Sequence, residues 1–166
     1  MKIVSGRIRL GLSAAVAAGA FLLAVMPVTA AQAAGPEQFR FTVPLSLTDT
    51  TSCAFPIAIN VVDNVVGRLF FDAQGNLQSI DQRQNITGTE SANGITLPTS
   101  SHFVEFINVA AGGAKEVGLA IKVQGGAVII RDAGILVFNA DGTVGFIAGP
   151  HPSFEGDTVA LCAALS

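Results

Sequence analysis

Phe39-Arg40-Phe41-Thr42-Val43-Pro44-Leu45-Ser46-Leu47-Thr48 puts an apolar side chain at every second position. Successive side chains of a strand point to opposite faces, so this period of two predicts a strand with one buried face. Pro44 has no amide hydrogen to give to a ladder and places the strand at a sheet edge. Cys53, Phe55, Ile57, Ile59 and Val61 repeat the alternation. Asp63-Asn64 reads as the turn after them, with Val65 to Phe71 as the next strand. Further along, Val117, Leu119, Ile121 and Val123 alternate with Glu116, Gly118, Ala120 and Lys122. Asn93-Gly94 and Gly125-Gly126 are two-residue hairpin signals. The pattern predicts an all-β fold, a single antiparallel β-barrel or two-sheet β-sandwich of about eight or nine strands.

Composition agrees with that class. Charged residues make up 13% of the 166, with 18 Gly and 7 Pro, which is apolar and turn-rich rather than disordered. Residues 1–9 carry Lys2, Arg7 and Arg9, residues 10–25 are apolar, and Ala31-Gln32-Ala33 offers a small-residue cleavage site. We therefore expect a signal peptide over residues 1–33, then a single all-β domain over 34–166 that is secreted and extracellular. No adjacent arginine pair and no cysteine at the cleavage point suggest another export route or a lipid anchor, so no membrane partner is expected after cleavage. Losing the leader leaves Arg40, Arg68, Arg83, Lys115, Lys122 and Arg131 against twelve acidic residues. That balance makes nucleic acid a poor partner.

Export changes the meaning of the two cysteines. In an oxidising compartment a bridge between Cys53 and Cys162 is expected over a metal site or a nucleophile. No cationic residue lies within ten positions of either to lower a thiol pKa.

Residues 67–77 and 134–144 resemble each other, with Phe71-Asp72-Ala73-Gln74-Gly75 matching Phe138-Asn139-Ala140-Asp141-Gly142. Hairpin loops that start on Asp or Asn and need Gly at positive φ explain the match better than duplication. Residues 78–101 hold no aromatic side chain and many Gln, Asn, Ser and Thr, and read as a solvated hairpin. Within them Asn85-Ile86-Thr87 fits the glycosylation sequon, relevant only in a host with that machinery.

Candidate chemistry is sparse. Gly149-Pro150-His151-Pro152-Ser153-Phe154-Glu155-Gly156-Asp157 sets one imidazole and two carboxylates in a proline-stiffened loop. His151 with Glu155 or Asp157 could do acid-base work or hold a metal; the plainer reading is a loop lock, because metal sites show paired ligands at set spacing. His102 and Glu105, three apart on a strand, face opposite sides and cannot pair. Arg131-Asp132 interrupts an apolar run, so one of the two must point inwards and needs a partner; in a barrel it could line a ligand cavity. No elbow for a nucleophilic serine, zinc-protease His pair, phosphate-cradling glycine motif or calcium loop is present, and no cofactor is implied. Without Trp or Tyr, the chain lacks the platforms that favour sugar stacking.

Cys53-Ala54-Phe55-Pro56, Asn85-Ile86-Thr87-Gly88, Gly149-Pro150-His151-Pro152 with Gly156-Asp157, and Leu161-Cys162-Ala163-Ala164-Leu165 together resemble an uncharacterised family of small secreted proteins of high-GC Gram-positive bacteria. The resemblance implies a β-rich fold with two cysteines, and it transfers no catalytic residue. The expectation is a secreted, non-catalytic binding or structural module for a small apolar ligand or an extracellular protein. The alternatives are an extracellular enzyme or metal-binding protein using His151, and an inhibitor of a secreted protease presenting the 150–152 loop.

Overall fold

The computed structural model describes residues 35–166, and the expected signal peptide lies outside the described residues. Seven strands follow in chain order: β1 (Glu37–Asp49), β2 (Ile57–Phe71), β3 (Leu77–Ala92), β4 (Ile95–Asn108), β5 (Ala114–Gly125), β6 (Ala127–Phe138) and β7 (Val144–Ala148). A six-residue helix, α1 (Val159–Ala164), ends the fold. Each strand pairs antiparallel with the next, giving one meander in the order β1-β2-β3-β4-β5-β6-β7.

The fold is all-β, as the alternation predicts, and three details are corrected. β1 and β7 do not pair with each other, so the sheet is not closed into a barrel; a sandwich-like layering is compatible with it. The strands number seven rather than eight or nine because they are long. Asp63-Asn64 is not a turn: β2 runs straight through it, with Asp63 buried opposite Val43 and Ile86 while Asn64 points outwards. Pairing on both sides outweighs the local turn preference of the dipeptide.

Four turns expected from the sequence are present. Asn93 and Gly94, at φ 52° and 81°, turn β3 into β4, and Gly126 turns β5 into β6. The two similar segments form matching loops. In one, the Asp72 amide donates to the Asn76 carbonyl and Gly75 to Asp72; in the other, Asn139 donates to Thr143 and Gly142 to Asn139. Both glycines sit at positive φ, 84° and 79°, and both hairpins carry a register shift at the equivalent pair Phe70/Phe71 and Val137/Phe138.

Residues 78–101 do form a hairpin, but it is not solvated. β3 is central in the sheet, and Ile80, Gln84, Glu90 and Ala92 on its inner face are buried. Polar composition marked this segment as surface, whereas strand position decides its burial.

One end of the sheet wraps α1. Ile57 of β2, Ala92 of β3, Leu97 of β4, Val123 of β5 and Ile130 of β6 form a single buried cluster with Leu161 and Leu165. Strands four places apart in the order share that cluster, so the sheet curls around it. The Cys53–Cys162 disulfide ties the β1–β2 loop to α1, and the Thr158 hydroxyl donates to the Ser52 carbonyl at 2.7 Å.

Candidate functional site

Curling gives the sheet an inner and an outer face, and strand parity sorts the charges between them. Asp49, Asp63, Glu90, Glu105, Glu116 and Asp132 all fall on inward positions and all are buried. Every basic residue among the described residues falls on an outward position: Arg40, Arg68, Arg83, Lys115, Lys122 and Arg131. The inner carboxyls therefore have polar neighbours and each other, but no Lys or Arg.

The densest group lies on β2 to β5. Glu105 and Glu116 are direct cross-strand partners, 1% and 5% exposed. Oε2 of Glu105 accepts from Gln82 Nε2 at 2.6 Å and Gln84 Nε2 at 2.9 Å. Burial raises the Glu105 pKa, these two bonds oppose the rise, and the nearby Asp63 charge adds to it. Glu116 is pushed up to about 7, by burial first and by Glu105 second. Burial likewise raises Asp63, whose Oδ1 is buried without a hydrogen-bond partner.

Towards the clamped end the acids have donors. Burial would raise Asp49, but hydrogen bonds from Ser52 and Thr51 outweigh it and hold the carboxyl below its ordinary value. Its Oδ1 accepts from the Thr51 amide at 2.7 Å and hydroxyl at 2.8 Å, which shapes the β1–β2 loop. Burial raises Glu90, opposed by Thr99 and reinforced by the Asp49 charge.

Arg131 and Asp132 divide as parity requires. Arg131 is exposed, while Asp132 points inwards at 0% exposure. Its partner is Ser153 rather than a base: the Ser153 amide donates to Oδ1 at 3.2 Å and the hydroxyl to Oδ2. Burial raises Asp132, the Ser153 amide and His151 oppose the rise, and Glu155 adds to it.

The 150–157 segment thus folds over Asp132. The Ala133 amide donates to the Pro150 carbonyl at 2.8 Å, Glu155 to His151 at 3.0 Å and Asp157 to Pro152 at 2.7 Å. His151 is 1% exposed, edge-on to Phe154 with ring centroids 6.0 Å apart, and neither ring nitrogen has a hydrogen-bond partner. Glu155 and Asp157 are exposed. Ser153 bonds to Asp132 directly, with no imidazole between them to act as a base. Among the described residues no three His, Cys, Asp or Glu side chains are placed to hold a metal ion.

His102 is exposed on the outer face and Glu105 is buried on the inner one, as their spacing predicts. A shallow depression of about 550 Å³ lies beside β3, β4 and the β4–β5 loop, lined by Gln78, Asp81, Phe106 and Asn108 among others. An apolar row of the inner face lies on β1, where Phe39, Phe41, Val43, Leu45 and Leu47 are half-buried and the two Phe rings stack at 5.7 Å. Sequence reasoning missed Asp63, Glu90, Glu105 and Glu116 as inward acids. The parity argument used for Asp132 would have found them, since Glu105 shares its parity with Phe103 and Ile107. No family model, curated protein or solved structure matches the chain.

Proposed function

We propose that this chain is an exported, non-catalytic β-domain acting as a binding or structural module. The observation that carries the reading is His151: its ring is sealed inside the loop while the acids it would need, Glu155 and Asp157, stay outside. A general base must reach the proton it abstracts, and a buried ring without a partner instead serves as packing. The disulfide fits an oxidising compartment, which supports export and the leader reading of residues 1–33.

The half-buried row on β1 favours a small apolar ligand as the thing bound. It alternates five apolar side chains along an unpaired sheet edge, whereas the middle of the inner face is filled by carboxyls and amides. A native mass spectrum of the mature protein from culture supernatant, compared with its denatured mass, tests this. Extra mass lost on denaturation is the expected result, and Leu45→Asp should abolish it. A bare native mass would remove the ligand reading and leave a structural role.

A further inference from the structure

Glu105 and Glu116 face each other across β4 and β5, and directly opposed strand residues hold their Cβ atoms about 5 Å apart. Each neighbour of the pair on the inner face is neutral or acidic. β3 presents Gln82 and Gln84, β2 presents Asp63, and β6 presents Leu136 opposite Glu116. All six bases lie on the other side of the sheet, and His151 sits further along, by Asp132. Two ionised carboxylates in that setting would repel each other with nothing to offset the repulsion, so one proton between them is the natural occupancy. The hydrogen bonds assign it. Glu105 receives two amide donors and is the better anion, while Glu116 receives none among the described residues and holds the proton.

We infer that Glu105 and Glu116 are a proton-operated latch between β4 and β5, closed while Glu116 keeps its proton and released when that proton passes to water. The unclamped half of the ladder then opens to hydrate both charges. The other half stays shut, because the α1 cluster and the disulfide hold Leu97, Val123 and Ile130 together. Glu105 and Glu116 lie on the side of the sheet away from that clamp, near the β4–β5 loop. The device would make the outer end of an exported domain responsive to the pH of its surroundings.

Amide hydrogen exchange across pH 5 to 8, corrected for intrinsic rates, reads the latch. Protection at Val104, Phe106, Lys115 and Val117 should fall by about 100-fold over that range, while protection at Leu97, Val123 and Ile130 stays flat. Glu116→Gln keeps a neutral side chain of the same shape and should remove the fall, whereas Glu105→Gln lifts the repulsion but not the burial and should move the fall to lower pH. If either variant fails to fold, the carboxyl carbon shifts of the wild-type protein answer the same question, with Glu116 titrating near neutrality. A uniform loss of protection over all strands, a pH response that survives Glu116→Gln, or a Glu116 carboxyl titrating in the ordinary acidic range would overturn the proposal.

Discussion

The Asn93 side-chain amide donates to the Leu165 carbonyl oxygen at 2.8 Å, joining the β3–β4 turn to the end of the chain. Asn93 also holds the turn itself, at φ 52°, where a residue other than Gly is uncommon and Asn is among the best tolerated. The two roles separate by substitution. Asn93→Gly keeps the backbone free to turn and removes only the bond, costing about 1 kcal/mol. Asn93→Ala adds the left-handed penalty, a further cost of about 1 kcal/mol. Urea unfolding midpoints should therefore fall in the order wild type, Gly, Ala; equal midpoints for Gly and wild type would leave the bond without weight.

The disulfide is the stronger staple because it closes a loop of 109 residues. Chain entropy alone gives about 3 to 5 kcal/mol for a loop of that length. Replacing both Cys53 and Cys162 by Ala should lower the melting temperature by many degrees. It should also loosen α1 first, since one helix of six residues has little stability of its own. Exchange at α1 amides, compared with β3 amides, checks that order.

How far the sequence could be read follows from which residues obey local rules. Phe39 to Leu47 alternate cleanly, and Pro44 marks an edge that β1 occupies. The Asp72 and Asn139 loops were legible because Asp or Asn with Gly fixes a hairpin almost by itself. Asp63-Asn64 misleads for the opposite reason, since its turn preference is overruled by partners many residues away. The polar run of β3 misleads because composition does not report a strand's place in the sheet. α1 carries no helical pattern to detect: among its residues only Leu161 is buried, against the sheet, and the helix is held by a disulfide and the Thr158 hydroxyl. Of the candidate site, parity shows that one of Arg131 and Asp132 points inwards without saying which, and the partner of Asp132, Ser153, lies 21 residues away where no spacing rule could supply it.

That Asp132–Ser153 contact predicts a loss on substitution. Ser153→Ala leaves a buried carboxyl oxygen without its hydroxyl donor and should cost about 1 to 3 kcal/mol. Asp132→Asn with Ser153→Ala should cost less than the two single changes added together, because they share one interaction. A double-mutant cycle by chemical denaturation measures the difference, and strict additivity would count against the contact.

His151 gives a sharper contrast, because its ring nitrogens are buried and unpartnered. His151→Ala removes packing against Phe154 and should destabilise by about 2 to 4 kcal/mol through the cavity left behind. His151→Leu fills most of that volume and removes two unsatisfied polar atoms, so it should hold or raise the melting temperature. A catalytic or metal-binding histidine would show no such preference for leucine. Falling stability in the Leu variant, equal to that of Ala, would return His151 to the list of functional groups.

Stability against pH should peak on the acid side, earlier than the usual range of about pH 5 to 8. Asp63, Glu90, Glu105, Glu116 and Asp132 are raised in the folded state by burial, so each contributes most when protonated. For Glu116 the contribution is full below the ordinary value of 4.5 and is lost as pH climbs to about 7. At 1.36 kcal/mol per unit, that single group accounts for a loss on the order of 3 kcal/mol. Asp49 has the opposite sign: its hydrogen-bonded carboxylate stabilises above the ordinary value of 3.8, and that stability is lost as pH falls through its lowered folded value. The two slopes meet between them, which places the maximum near the ordinary carboxylate values, at about pH 4 to 5. Calorimetric melting from pH 2 to pH 9 should trace this peak. Glu116→Gln should flatten only its alkaline side, and Asp49→Asn only its acid side. A profile that rises steadily to pH 7 would mean that the inner carboxyls are ionised and hydrated in the folded protein.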